Sequence, residues 1–273
     1  MSSPNPWFTD WNFEPTIFIG LTLLTAIYLS CVGPLRRRYG WAAEIDKRQV
    51  ALFLAGVFII FIALVSPLDE IGDRYLFFAH MTQHLLLTLV MPPLLLLGTP
   101  SWLVRPLLEW RLIDSVARFV SKPIPAFLLF NALFTAYHVP ALYDLSLQNN
   151  LFHIFVHLLL MATAVIAWLP ILSPIEALPR LPYPHQIMYL FFGAILPTIL
   201  GAIITFSQSV LYPTYQVAPR VFGISAMDDQ MAAGLIMWIP GSTLYLLVLT
   251  IVFFKWFGRD DDSEQANEFA GRG

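Results

Sequence analysis

Charge and cysteine are what this chain has least of. Only 12% of its 273 residues are Asp, Glu, Lys or Arg, against about a quarter in an ordinary soluble domain. A water-facing globule is therefore excluded. The single cysteine, Cys31, rules out an intrachain disulfide and cannot build a thiolate-rich metal site. The stretch from Met1 to Glu14 contains no basic residue ahead of the first apolar run, so that run is taken as a retained helix and not as a cleaved leader. An activated serine, a phosphate loop and a general-base pair are all missing, so no catalytic role is expected. Nor is a nucleic-acid partner expected.

Hydrophobic residues make up 58% of the chain, and they fall in seven runs. These are about Thr16 to Gly33, Gln49 to Val65, Phe77 to Leu97, Pro123 to Tyr137, Leu151 to Leu169, Gln186 to Phe206 and Gln230 to Trp256. Runs this long and this continuously apolar suit helices crossing a hydrocarbon core of about 30 Å, not alternating barrel strands. The expectation is an all-α polytopic bundle of seven transmembrane helices in the lipid bilayer. One membrane domain would span 1–258, followed by a disordered tail at 259–273. Pro92, Pro93, Pro197 and Pro240 fall inside runs and should kink them, with neighbouring helices satisfying the freed carbonyls.

Loop charge sets the expected orientation. Of the fifteen Lys and Arg residues, only Arg74 and Arg220 lie on one side of the predicted topology. By the positive-inside rule the other side is cytoplasmic, with the C-terminus inside and the N-terminus outside. Five of the six histidines then gather at the outer ends of the helices: His80 and His84 in the third run, His138 after the fourth, His153 and His157 in the fifth. His185 falls on the opposite side and is set aside.

Each of the pairs His80/His84 and His153/His157 is four residues apart, which puts both imidazoles on one helix face, one turn above the other. A lone intramembrane histidine is commonly an interhelical hydrogen-bonder, and His138 taken alone fits that reading. Two pairs at matched depth exceed what packing needs and point to metal ligation. Asp229 and Met227, at the start of the seventh run, join the candidate ligands, although a carboxylate there also suits the helix dipole. Asp69, Glu70 and Asp73 are read as a solvated outer loop, and Met81 and Met91 as core or lipid-facing residues.

Imidazole with thioether favours copper, with zinc or haem iron behind it, while calcium and magnesium would want more oxygen. His80-Met81-Thr82-Gln83-His84 lacks the glutamate of a zinc-protease motif. Four functions stay open at this point: a copper-handling assembly factor, a metal transporter, a haem-binding redox protein, and an accessory scaffold.

The residues also carry a family resemblance. His80-Met81-x-x-His84, Pro92-Pro93-Leu94-Leu95-x-Leu97-Gly98-x-Pro100, His138-x-Pro140-x-x-Tyr143-Asp144 and His153-x-x-x-His157 occur in that order. They are followed by Leu211-Tyr212-Pro213-x-Tyr215 and Asp229-Gln230-x-x-Ala233-Gly234-Leu235-Ile236-Met237-Trp238-x-Pro240-Gly241. From about Ser66 to the end of the seventh run the chain resembles the multi-spanning CtaG-type cytochrome c oxidase assembly factors. The resemblance implies a multi-pass protein of the bacterial cytoplasmic (inner) membrane. It would act as a metallochaperone in maturing a respiratory-chain oxidase of the caa(3) type, with oxidase subunits and a copper chaperone as partners.

Overall fold

The computed structural model describes residues 6–270, with side chains given from Trp7 to Arg259 apart from Phe8. The tail expected to be disordered, 259–273, lies outside those described side chains save for Arg259. The described residues are helical and contain no strand. In chain order the principal helices are α1 Pro15–Tyr39, α2 Lys47–Val65, α3 Pro67–Arg74, α4 Phe77–Gly98, α5 Arg111–Val120 and α6 Pro123–Tyr137. They continue with α7 Pro140–Gln148, α8 Asn150–Leu172, α9 Tyr183–Phe206, α10 Pro213–Val217 and α11 Ala226–Arg259.

Local chemistry explains the boundaries. Proline at the first position starts α1, α3, α6, α7 and α10, where its missing N–H costs nothing. Asp46, Ser66 and Asn149 accept hydrogen bonds from the first-turn amides of Arg48, Leu68 and Phe152, the usual N-cap role. Gly40, at φ 65°, ends α1 in the left-handed conformation that glycine adopts without penalty.

Six helices, α1, α2, α4, α8, α9 and α11, are long and apolar enough to cross a membrane. The seventh span is shorter than the others. α6 has 15 residues, covering about 22 Å at 1.5 Å each, and it meets α5 at a bend of 77°. α5 exposes Leu112, Ile113, Val116 and Phe119 along one side and carries Arg111, Asp114, Ser115 and Arg118 along the other. Such a helix suits the plane of a bilayer surface.

α4 is not a uniform α-helix. Leu86–Val90 forms a π-helical turn just ahead of Pro92 and Pro93. Pro92 cannot donate to the carbonyl of Thr88 four residues earlier, and the indole N–H of Trp168 on α8 takes its place at 3.2 Å. α9 and α11 continue as α-helix through Pro197 and Pro240.

Close backbone approach holds the bundle together. Where α9 crosses α11, a Cβ on Gly234 would strike the Thr205 hydroxyl and come within 2.7 Å of the Gly201 carbonyl; one on Gly201 would come within 2.9 Å of the Gly234 carbonyl. Small residues allow this contact in lipid, where packing and not water exclusion drives association. Between α1, α2 and α4, Tyr28 stacks on Phe53 with 3.7 Å between ring centroids, and its hydroxyl donates to the Gly98 carbonyl at 2.7 Å. We expect Gly234→Ala to destabilise the detergent-solubilised protein by about 1–3 kcal/mol through overpacking. Gly20→Ala, with open space around its site, should leave the thermal transition unchanged in the same melt.

Candidate metal site

α4 opens beside three other elements. Its N-cap residue, Leu76, offers no side-chain acceptor, so the first amides of the helix need partners from elsewhere. Asp229 on α11 supplies both: one carboxylate oxygen accepts from Phe77 N–H at 2.9 Å and the other from Phe78 N–H at 3.0 Å. Phe77 itself is buried among Tyr143, Tyr212 and Tyr215, with ring centroids 5.5, 4.5 and 5.0 Å away. α4 is thus held at its end by a carboxylate and an aromatic socket, which place His80 one turn and His84 two turns further on.

The imidazoles of α4 and α8 meet. His80 Nε2 lies 2.7 Å from His84 Nε2, and His153 Nε2 lies 2.7 Å from His157 Nε2. Across the helices the ring centroids of His84 and His157 are 4.9 Å apart, and those of His80 and His153 are 5.8 Å apart. All four histidines that sequence spacing paired are therefore brought together at one end of the bundle.

One further residue joins them. Asp73 belongs to α3 and not to a solvated loop, which corrects the sequence reading. Its carboxylate accepts from His80 Nδ1–H at 3.0 Å and stands 3.3 Å from His153 Nδ1. Gly72 makes this possible, because a Cβ there would fall 2.9 Å from the His80 amide nitrogen. The Gly72 carbonyl is anchored by the Tyr215 hydroxyl at 2.6 Å, and Tyr215 is also bonded to Tyr143 at 2.9 Å. Tyr137 completes the surround: its hydroxyl lies 3.3 Å from His80 Nε2 and 3.1 Å from Ser146 Oγ.

The carboxylate decides the tautomer. With Nδ1–H of His80 directed at Asp73, the lone pair of that ring sits on Nε2 and accepts from His84 Nε2–H. Burial pushes the Asp73 carboxyl up to about 6, with His153 and Arg74 holding it back. Asp69, buried one turn earlier on α3, is pushed further, up to about 8, by burial first and then by the charge of Asp73. Hydrogen bonds from Asn12 and Gln83 oppose the rise, and Glu70 adds slightly to it.

Among the described residues, two groups have the arrangement that a cation needs. One ring nitrogen each from His80, His84 and His157 lie within 4.8 Å of one another, and so do ligand atoms of Asp73, His80 and His153. Tetrahedral imidazole ligation at about 2.0 Å separates neighbouring nitrogens by about 3.3 Å, a spacing within that 4.8 Å limit.

The other candidates stand apart from both groups. His138 donates Nδ1–H to the Phe134 carbonyl of its own helix at 2.7 Å and leaves Nε2 buried without a hydrogen-bond partner; burial pushes it down to about 4. Asp229 is occupied in capping α4. Met227, partly buried, precedes Asp229 by two residues at the start of α11, and His185 is exposed at the start of α9. Met81 and Met91 are buried core residues.

The family model described as cytochrome c oxidase caa3 assembly factor matches residues 26–259. Among curated proteins, an uncharacterized protein of Mycobacterium bovis and one of Mycobacterium tuberculosis are each 27% identical over 92% of this chain. An uncharacterized protein of Mycobacterium leprae is 26% identical over 93% of it. The alignments take in 40% of the length of these relatives. No solved structure matches.

Two outcomes test this geometry. Asp229→Ala should lower the stability of the metal-free protein by about 1.5–3 kcal/mol, the loss of charge-assisted bonds to two amides; an unchanged metal-free melt would mean that Asp229 is not a cap. Asp69, raised in the folded protein, favours its protonated form there. Its contribution is therefore intact below its ordinary value of 3.8 and declines as pH rises to about 8. Thermal melts across that range should show wild type losing stability with rising pH and Asp69→Asn losing much less.

Proposed function

The chain belongs to the cytochrome c oxidase caa3 assembly factor family, and from that premise we propose that it holds a copper ion at the histidine cluster and passes it to a subunit of a haem-copper oxidase. The observation that carries this reading is the convergence of His80, His84, His153 and His157 with Asp73 at one end of the helices. The loops at that end hold only Arg74 and Arg220 of the basic residues, which by the positive-inside rule faces the cluster away from the cytoplasm.

The chemistry of the donors supports copper as cargo. Imidazole nitrogen is a common ligand for copper and zinc, and a site without thiolate releases its ion more readily than a cysteine cage. Transport across the bilayer fits less well. Below His84 lies a cavity of only about 30 Å³, where Met81, Thr88, Met237 and Tyr245 stand among apolar side chains; beyond His84 its lining offers no further imidazole, carboxylate or thiolate to carry an ion inward. Haem fits less well too, because the rings of His84 and His157, which face each other from different helices, stand 4.9 Å apart between centroids, closer than two axial ligands on opposite faces of a macrocycle. The role is non-catalytic, with the oxidase subunit and a soluble copper donor as partners.

Metal analysis of the purified full-length protein tests the proposal. Wild type is expected to retain about one copper per chain after dialysis, and a variant with all four histidines changed to alanine to retain less than about a tenth of that. Cells carrying the variant should assemble oxidase lacking its copper. Equal and negligible copper in both proteins, or full oxidase assembly in the variant, would overturn it.

A further inference from the structure

The histidine cluster is not one site but two that overlap. Asp73, His80 and His153 form the first group, and His80, His84 and His157 the second. His80 is common to both. It faces them with different atoms, Nδ1 toward Asp73 at 3.0 Å and Nε2 toward His84 at 2.7 Å. The groups also differ in access. The side chains of Asp73 and His153 are 25% and 13% exposed, whereas His80, His84 and His157 are 0%, 3% and 6% exposed as residues.

We propose that these groups are two stations for a single metal ion in series, an outer one for capture and release and an inner one for retention, with His80 handing the ion between them. This rests on the copper-holding reading above. The outer station has the only carboxylate of the two groups and reaches solvent, so an arriving hydrated cation meets a charged ligand first and sheds its water there. The inner station is all imidazole inside an apolar bundle. Tyr137, 3.3 Å from His80 Nε2, is the polar group that borders it from α6.

Simultaneous filling is disfavoured, because two cations sharing one imidazole would repel across a poorly screened gap with one carboxylate to offset them. Proton balance follows the same ring. While the ion occupies Nδ1 on the outer side, the His80 proton sits on Nε2; when the ion moves to Nε2, the proton returns to Nδ1 and the bond to Asp73 re-forms. This change of tautomer takes one proton off Nε2 and delivers one to Nδ1 by exchange with solvent, which reaches Asp73 beside Nδ1, so the net proton count of His80 is unchanged and no electron moves.

Rates separate the stations. Full-length protein in lipid nanodiscs would be loaded with copper ions and then mixed with a chromophoric copper chelator, with loading rate, release rate and equilibrium dissociation constant measured for each variant. Asp73→Asn and His153→Ala should slow both loading and release by about tenfold while changing the dissociation constant by less than about threefold, whereas His84→Ala and His157→Ala should weaken equilibrium binding by about tenfold or more. Asp73→Glu, which keeps a carboxylate, should recover most of the rate and guards against a folding defect in Asp73→Asn. Two coppers bound per chain, or outer and inner variants that shift the dissociation constant alike, would overturn the two-station scheme while leaving copper binding intact. Failure of wild type to bind copper would remove both.

Discussion

A carboxylate shared between two imidazoles governs this end of the bundle. Asp73 takes the Nδ1–H of His80 and sits beside Nδ1 of His153, and this leaves the Nε2 lone pairs of those rings turned inward. Without it each ring could adopt either tautomer, and the paired Nε2 atoms would have no fixed donor and acceptor. Buried imidazoles in an apolar bundle are costly unless their nitrogens are satisfied. Here the cost is met internally, each α4 or α8 histidine bonding to the one a turn away.

The rest of the architecture serves that contact. Gly72 lets α3 press against His80, Tyr215 pins the Gly72 carbonyl, and Asp229 ties the start of α4 to α11. Gly201 and Gly234 then draw α9 onto α11, so the helix bearing Asp229 is itself held in register. A chain of short-range contacts thus runs from a glycine crossing in the bundle to the orientation of two rings.

Much of this was legible in the chain before any coordinates. Hydrophobic run length identified the spans, and four-residue spacing identified the two histidine pairs, because both depend on helical geometry within a single element. Asp73 was not legible. Tyr75 and Leu76 break the helix between Asp73 and His80, so no periodicity connects them, and an acidic residue outside the apolar runs looks solvated. Gly72 immediately before it gave no sure signal either, since Gly20 sits inside α1 with open space around it whereas Gly72 packs on His80. His138 and Asp229 sit near the cluster in depth, but depth alone does not tell a ligand from a capping group. The Asp229 carboxylate is spent on two amides, and His138 turns Nδ1 to its own helix. The short α6 was legible too, since the fourth run, Pro123 to Tyr137, coincides with it; the amphipathic α5 ahead of it was not, because its apolar residues alternate with charged ones and form no continuous run.

The central claim concerns which atoms hold the ion. X-ray absorption at the copper edge of the loaded wild-type protein measures this directly. The expected spectrum has a first shell of nitrogen or oxygen at about 2.0 Å with the outer-shell scattering of several imidazoles. A sulfur scatterer at about 2.3 Å, or a spectrum without imidazole scattering, would contradict it.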